Sequence, residues 1–335
     1  MNAFLRKKDV VVSFRRYAVD AMGAMTLGLF ASLIMGLIFR EIGTRAGIEF
    51  LVEIGAYAHG ATGFAMGVAV AYGLKAPPLV LFSAAAVGFA GNTLGGPAGA
   101  LVAAIVATEF GKTVSKETKV DIIVTPLVTL VTGIGAAMLI GPPIRFAMDA
   151  IGSFIMWSTD LMPAVMGAVV AVVMGMLLTS PLSSAAIAIT LGLEGVAAGA
   201  AVAGCAANMI GFAVSSYREN KAGGLISQGI GTSMLQMPNI MKNPLIWIPP
   251  IVASAVCGVL SAAVFGMTNI PAGAGMGTSG LVGQFGALTA MGYTPAVFMQ
   301  IGLTHFVLPA CVSLTVSEYM RKKGWIKFGD MKLAG

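Results

Sequence analysis

Ionisable side chains are rare in the apolar segments of this chain, so each one found there is a candidate for chemistry. His59 lies among small residues in "GAYAHGATGFAMG", Glu194 closes the stretch "LLTSPLSSAAIAITLGLEG", and His305 lies in "IGLTHFVLPA". An ionisable group inside a membrane segment is a functional hypothesis by default, and histidine is the side chain most easily switched near neutral pH. We favour a function for Glu194, whereas a lone histidine is more often a structural hydrogen-bonding group.

Hydroxyl groups gather around a proline in the first of three interrupted stretches. Ser180, Ser183 and Ser184 surround Pro181, which cannot continue a helix with full hydrogen bonding. The stretch is too short and too mixed to cross a bilayer, so it predicts a re-entrant hairpin. The alternative is that the serines serve as small residues where helices pack closely.

Side-chain amides flank a proline in the second stretch, "SQGIGTSMLQMPNIMKNP" (227–244). Gln236 and Asn239 lie on either side of Pro238, and Asn208 lies in the apolar segment "CAANMIGF". Amides both donate and accept hydrogen bonds, which suits the hydroxyl groups of a polyol or sugar. A helix cap and a turn are the alternative for residues 236–239.

The third stretch, "IPAGAGMGTSGLVGQ" (270–284), holds five glycines between two apolar segments. Glycine permits a sharp bend, and Thr278 or Ser279 is suited to cap a short helix that begins near Gly280. Replacing both residues with alanine is expected to weaken substrate binding without disturbing folding. The alternative is a flexible connecting loop.

All three stretches carry non-helical backbone inside apolar sequence, and such backbone survives in a membrane only where protein buries it or water wets it. They therefore predict a substrate cavity. The predicted substrate-binding residues are Ser180, Ser183, Asn208, Gln236, Asn239, Thr278, Ser279 and Gln284.

The composition places these residues in a bilayer. The 335 residues are 57% hydrophobic and 10% charged, with a mean hydropathy of +0.89. We predict an all-α polytopic membrane protein with about eight to ten transmembrane helices, some broken or re-entrant. Clear spans are 17–39, 50–74, 122–141, 161–179, 196–215, 244–265 and 295–318. Two regions, 78–110 and 222–290, are apolar but interrupted, and 142–160 is amphipathic and suited to the membrane interface.

The net charge of +6 comes from basic residues near segment ends, which places both termini in the cytoplasm. No basic stripe alternates with exposed aromatic residues, so we expect no nucleic-acid partner. Cys205, Cys257 and Cys311 lack metal or disulfide spacing, and we expect neither a metal nor a cofactor. The chain is predicted to be a single transmembrane domain, 1–335, with an internal repeat of halves 17–143 and 161–290 as one possibility.

Several stretches resemble one membrane-protein family. Residues 61–107 and 125–155 resemble the EIIC subunit of fructose-type bacterial sugar phosphotransferase systems. "GTSMLQMPNI", "NPLIWIPP" and "IPAGAGMGTSGLVGQ" resemble the branch of EIIC-like proteins that includes the perfringolysin-regulator (PfoR-type) membrane proteins. The resemblance covers about residues 18–317, and its second-half motifs are the more specific part.

The resemblance implies a homodimeric permease of the bacterial inner membrane that binds a sugar or sugar-like molecule for phosphorylation by a cytoplasmic EIIB. It implies an embedded histidine and glutamate near the sugar, and His59 and Glu194 are the closest positions for these catalytic roles. No soluble domain offers a phosphoryl-carrying Cys or His, so separate EIIA and EIIB partners are required.

Two other functions stay open at the level of sequence. One is a proton-coupled transporter, with Glu53, His59 and Glu194 as proton carriers. The other is a membrane sensor of the PfoR type, which would contact a cytoplasmic partner through "YRENK" or the terminal "RKKGWIKFGDMKLAG".

Overall fold

The computed structural model describes residues 3–159 and 161–333, and within them regular structure is helical. The one extended pairing among these residues is an isolated antiparallel bridge between Gly195 and Asn269. The predicted all-α class is confirmed. The chain divides into two compact units, unit 1 (Met1–Ala147) and unit 2 (Met148–Gly335).

Unit 1 is built from six helices and most of a seventh. They are α1 (Ala3–Lys7), α2 (Met22–Leu29), α3 (Met35–Ala46), α4 (Glu49–Gly60), α5 (Thr62–Gly73), α6 (Pro78–Val114) and α7 (Asp121–Thr159). The π-helical turns Arg16–Ala21 and Phe30–Ile34 join α2 and α3 into one continuous helix over Arg16–Ala46.

Unit 2 contains the end of α7 and ten more α-helices. They are α8 (Pro163–Thr179), α9 (Ser184–Thr190), α10 (Gly195–Ser215), α11 (Tyr217–Ile226), α12 (Met237–Ile240), α13 (Ile248–Val259), α14 (Pro271–Ala274), α15 (Val282–Met291), α16 (Pro295–Ile301) and α17 (Leu308–Lys322). Short π and 3-10 helices connect them at Ser227–Gly231, Ser233–Gln236, Pro244–Trp247, Leu260–Val264, Ser279–Leu281 and Gly302–Val307.

Six helices are long and apolar enough to cross a membrane, or seven if the bent pair α4 and α5 counts as one span. This confirms a polytopic membrane protein, with fewer candidate spans among the described residues than the eight to ten predicted. One reason is α7, which continues for 39 residues through the predicted span 122–141 and the predicted interfacial segment up to Thr159. Asp160, the last residue of that predicted segment, lies outside the described residues.

The interruption predicted within 78–110 is a kink in α6. Gly95 and Gly96 leave the helical region, and Gly96 has a positive φ of 60° that favours glycine. Pro97 follows at once and removes a backbone donor. The predicted interruption is therefore confirmed, but the helix resumes without a loop.

Helix α10 is the centre of unit 2 because its residues are small on every side. Its sequence, "GVAAGAAVAGCAANMIGFAVS", lets neighbouring backbones approach closely. A Cβ atom placed on Gly204 would lie 1.9 Å from the carbonyl oxygen of Ala171 in α8, and one on Gly199 would lie 1.9 Å from that of Met267. The interrupted segments therefore pack closely against α10, a buried helix with small side chains.

Unit 1 contains a cluster of charged side chains that we call the N-terminal ion cluster: Asp9, Arg16, Glu109 and Lys112. Lys112 is only 2% exposed and donates to the carbonyl oxygens of Asp9 and Leu74, the latter at 2.9 Å. Arg16 donates to the Asp9 carboxylate at 2.6 Å, which holds the pKa of that carboxyl below its usual range. Glu109 lies 3.5 Å from Arg16 and 3.6 Å from Lys112.

Candidate functional site

The three interrupted stretches come together in unit 2, on the surface of α10. The Ser184 hydroxyl donates to the carbonyl of Gly275 at 2.7 Å, which joins the first stretch to the third. The Thr278 hydroxyl donates to the carbonyl of Gly229 at 2.5 Å, which joins the third to the second. These contacts bridge 91 and 49 residues of sequence, so the convergence is a property of the fold.

The first stretch forms a turn followed by the short helix α9. The Ser180 hydroxyl donates to the carbonyl of Leu177 at 2.8 Å and accepts from the backbone N–H of Leu182 at 3.2 Å, so it stabilises the turn around Pro181. Ser183 is half-buried beside it. Glu194 is exposed and immediately precedes α10, in an extended conformation with no capping hydrogen bond from its side chain.

Asn208 is fully buried, and its amide is saturated with partners. Its oxygen accepts from Thr179 at 3.2 Å and from the Trp247 indole at 3.0 Å, while its nitrogen donates to the Ser254 hydroxyl at 2.8 Å. Thr179 also pairs with Ser233 at 2.8 Å. The network cross-links α8, α10 and α13, and this arrangement favours a structural role for Asn208.

The amides of the second stretch hold another part of the chain. Gln236 donates to the side-chain oxygen of Gln228 at 2.8 Å and to the carbonyl of Met331 at 2.9 Å. Asn239 donates to Gln236 at 2.9 Å and to the carbonyl of Lys332 at 2.9 Å. The alternative of a cap and a turn also has support, because residues 237–240 form the helix α12.

Residues 325–333 form what we call the C-terminal clasp. Asn220 donates to the carbonyl of Met331 at 2.8 Å and accepts from the backbone N–H of Leu333 at 2.9 Å, and Met331 is fully buried. Asn243 donates to Asp330 at 2.8 Å. The donors of Gln236 and Asn239 are thus occupied within the protein, half of them by side-chain oxygens and half by carbonyls of the C-terminal clasp.

The third stretch is non-helical at the positions where glycine was predicted to permit it. Gly277 has a φ of 54°, and a Cβ atom there would lie 2.7 Å from the backbone of Cys205 in α10. Gly280 and the non-glycine Leu281 also have positive φ, 54° and 60°. Thr278 and Ser279 make no side-chain cap, so the predicted capping is wrong for both residues. Both are buried under this bend.

Gln284 and His305 form a buried pair beside the bend. The Gln284 amide nitrogen lies 3.1 Å from His305 Nδ1, and His305 is fully buried. Gln284 Oε1, His305 Nε2 and Ser279 Oγ are buried without a hydrogen-bond partner among the described residues. His305 is outside the predicted set of site residues, although its place in an apolar segment was a signal for it.

His59 belongs to unit 1, whereas the residues above belong to unit 2. It is exposed near the end of α4, and its carbonyl accepts from the Thr62 hydroxyl at 2.6 Å across the bend between α4 and α5. Glu53, one of the three predicted proton carriers, is also exposed on α4. Among the described side chains of unit 1, the buried charged ones are Glu109 and Lys112.

A surface cleft of about 420 Å³ lies elsewhere in unit 2. It is lined by Val214, Ser215, Tyr217, Arg218, Leu225, Leu314 and Glu318. None of the predicted substrate-binding residues lines it, and its position beside the exposed Arg218–Glu318 ion pair indicates the end of the helices, not their interior. Across residues 3–159 and 161–333, no three His, Cys, Asp or Glu side chains are grouped to hold a metal ion.

Thr278 and Ser279 are adjacent but have different surroundings, so their separate replacements should differ. Thr278→Val removes the donor to the buried Gly229 carbonyl and is expected to lower the stability of unit 2 by about 1–3 kcal/mol. Ser279→Ala removes an unpaired hydroxyl and should leave stability unchanged or raised. Thermal unfolding of the purified single variants checks this, and equal melting temperatures would contradict it.

The comparisons with known proteins give one match. A family model described as "Phosphotransferase system, EIIC" matches residues 19–333. No curated protein and no solved structure matches the chain significantly.

Proposed function

The chain belongs to the phosphotransferase system EIIC family, and from that premise we propose that it binds and translocates a sugar or sugar-like molecule for phosphorylation by a separate EIIB. The family supports a permease subunit of a sugar phosphotransferase system, and the apolar helices support a multi-pass membrane protein. The proposal adds that transport is coupled to phosphorylation. A substrate that is phosphorylated on the cytoplasmic side cannot return across the membrane.

The observation that carries this proposal is the meeting of the three interrupted stretches in unit 2. Ser184, Thr278, Ser279 and Gln284 are all buried there, in a chain whose other buried side chains are mostly apolar. Neutral donors and acceptors at such a place suit a neutral, hydroxyl-rich substrate better than an ion. Transporters commonly bind substrate where helices are broken.

His59 and Glu194 remain our proposed catalytic residues by resemblance. Both are exposed, which is compatible with groups that meet the substrate or a partner protein during transfer. Ser180, Ser183, Asn208, Gln236 and Asn239 stay in the proposed substrate-binding set with a lower rank, because intramolecular hydrogen bonds already occupy Ser180 and the three amides.

We also propose the finer features of the assembly: a homodimer in the bacterial inner membrane, with cytoplasmic termini and with EIIA and EIIB as partners. The basic residues near both ends of the sequence support this orientation. The similarity of "IPAGAGMGTSGLVGQ" and "GTSMLQMPNI" to the PfoR-type branch supports placement in that part of the family.

Reconstitution tests the coupling directly. Purified protein in liposomes should accumulate a radiolabelled sugar only when phosphoenolpyruvate, the general phosphotransferase proteins and partner EIIA and EIIB proteins are all supplied. Liposomes that lack only EIIB are the control. Equal uptake without any phosphoryl donor would refute the proposal, and loss of that uptake on collapsing the proton gradient would then favour proton coupling.

One observation favours a sensor as the second candidate function. The two segments predicted to contact a partner, "YRENK" and the terminal stretch, contact each other. Arg321 pairs with Glu219 at 2.8 Å, and the Asn220 amide donates to the carbonyl of Met331 at 2.8 Å. The two segments form one surface, to which a cytoplasmic protein could bind with an affinity that depends on the conformation of unit 2. Substrate binding without any uptake in the liposome experiment would support this candidate.

A further inference from the structure

We propose that the outer face of the C-terminal clasp binds the headgroups of anionic phospholipids at the membrane surface. The binding face, which we call the clasp patch, consists of three aromatic rings and three ammonium groups, those of Tyr319, Trp325, Phe328, Lys322, Lys323 and Lys327. Its ligand is a lipid and not the transported molecule, so the patch is separate from the proposed function.

The clasp patch begins where a candidate membrane span ends. Tyr319 and Lys322 lie in the last turn of α17, which completes the span Pro295–Lys322. At about 1.5 Å per residue the 28 residues of this span extend about 42 Å, the thickness of a bilayer with its headgroups. The clasp follows directly, so it lies at the level of the headgroups.

The clasp has a buried inner side and an exposed outer side. Ile326 and Met331 are 2% and 0% exposed and pack inward. Trp325 and Phe328 point outward with 52% and 77% of their surface exposed, and Tyr319 at the end of α17 is 55% exposed. Single exposed apolar residues are ordinary, but a group of large rings marks an interaction surface.

The side chains of the patch are held next to one another. The Trp325 ring packs edge-on against the Tyr319 ring with centroids 6.4 Å apart, and the Lys323 ammonium lies 5.8 Å from the Tyr319 centroid. The Asn243 amide donates to the Trp325 carbonyl at 3.2 Å and to the Asp330 carboxylate at 2.8 Å. Asn243 thus fixes both ends of the turn that carries the rest of the patch.

The positive charge of the patch is not neutralised by the protein. Residues 319–333 contain five basic residues and one acidic residue. Arg321 pairs with Glu219, and the Asp330 carboxylate accepts from a side-chain amide and from a backbone N–H. The three lysines of the patch are exposed and form no salt bridge among the described residues. Anionic headgroups attract such lysines.

The residue types favour a lipid surface over a partner protein. Protein–protein interfaces are enriched in arginine and depleted of lysine. Here the lysines face outward, whereas the side chains of Arg321 and Glu219 are 9% and 0% exposed. Tryptophan and tyrosine are typical of the membrane–water interface, and a lysine there extends its ammonium group to the phosphates.

Lipid on the outer side of the clasp is expected to stabilise what the inner side holds. The inner side accepts hydrogen bonds from the buried amides of Gln236 and Asn239. A ligand that binds only the folded clasp adds its binding free energy to these contacts. Anionic lipid should therefore also stabilise the segment 216–243.

Quenching of tryptophan fluorescence by brominated lipids tests the site. The full chain is reconstituted in nanodiscs of phosphatidylcholine and phosphatidylglycerol, with bromine on the acyl chains of one lipid or the other. The contribution of Trp325 is the difference between the full chain and Trp325→Phe. At low salt the relative binding constant at Trp325 should favour phosphatidylglycerol at least about tenfold, because each lysine near an anionic surface contributes about fivefold.

The triple variant Lys322→Gln, Lys323→Gln, Lys327→Gln should lose this preference, with a relative binding constant near one. Salt should weaken the preference in the unaltered chain, because about 1 M salt shortens the screening length to about 3 Å. The salt titration does not depend on the folding of any variant.

The triple variant Lys75→Gln, Lys116→Gln, Lys119→Gln is the matched control. It removes three positive charges from exposed lysines of unit 1 and should keep the preference at Trp325. In the same nanodiscs, phosphatidylglycerol should slow trypsin cleavage at Lys221 and Lys242 at least about threefold in the full chain, because it stabilises the segment that these lysines border.

Four results would count against the proposal. Absence of quenching at Trp325 by both brominated lipids would place the patch away from the bilayer and indicate a protein partner. Equal quenching by the two lipids would show that the headgroup charge is not recognised. Equal losses in the two triple variants would assign the preference to net charge. Unchanged trypsin cleavage would refute the stabilisation of residues 216–243.

Discussion

Replacing Lys112 with methionine is expected to lower the stability of unit 1 by about 3–5 kcal/mol, because it breaks a buried ion cluster from one side. Lys112 is 2% exposed and donates to the carbonyls of Asp9 and Leu74. It also faces the buried carboxylate of Glu109 at 3.6 Å. Methionine fills similar space but leaves that carboxylate with Arg16 as its remaining salt-bridge partner among the described residues, and leaves two carbonyls without this donor.

Lys119→Met is the matched control, since Lys119 is exposed and forms no salt bridge among the described residues. It should change stability by less than about 0.5 kcal/mol. Denaturation in mixed micelles, followed by circular dichroism, measures both variants. The double variant Lys112→Met, Glu109→Gln should be more stable than Lys112→Met alone, and an additive loss would show that the two side chains do not interact.

Deleting residues 331–335 is the second change with a large expected effect. The deletion removes buried Met331 and the carbonyls that accept from Asn220, Gln236 and Asn239. Gln236 and Asn239 are buried, so in each of them one N–H donor is left without its acceptor, at a cost of about 1–3 kcal/mol. We expect the segment 216–243 to loosen and the melting temperature of unit 2 to fall by about 5 °C or more.

Limited trypsin digestion measures the loosening, because Lys221 and Lys242 are exposed and border the affected segment. Deleting only residues 334–335 is the control, since it keeps the clasp, and it should digest like the full chain. Asn220→Ala removes both a donor and an acceptor of the clasp and should show an intermediate effect. If the deletion of 331–335 digests no faster than the control, the clasp does not stabilise this segment.

The fold class followed from the sequence because hydrophobic length is a local property. The spans 196–215 and 295–318 need only a run of apolar residues, and the structure has helices over Gly195–Ser215 and Pro295–Lys322. The kink at Gly95 and Gly96 could also be predicted from neighbouring residues alone. The continuity of α7 through Pro142 and Pro143 could not be predicted from local sequence, because a proline pair also marks the end of many helices.

The positions of the three stretches could be predicted from the sequence, but the hydrogen-bond partners of their side chains could not. Glycine, proline and hydroxyl residues marked the three stretches, and their convergence is present. The partners of Gln236 lie 95 residues away at Met331, and no pattern near Gln236 distinguishes a backbone carbonyl from a sugar hydroxyl. Glu109 and Lys112 are three residues apart near a helix end, where solvated charges are also common. Nothing in the sequence therefore indicated that these two side chains are buried.

The hydrogen bonds of the C-terminal clasp cannot form until the last residues of the chain have been synthesised. Gln236 leaves the ribosome 95 residues ahead of Met331, its partner. At about 5–20 residues per second this gap lasts roughly 5–20 s, far longer than a helix needs to form. During that interval one amide donor of Gln236 and one of Asn239 must be hydrated or held by an insertion factor, which exposes this segment of nascent unit 2 to misassembly.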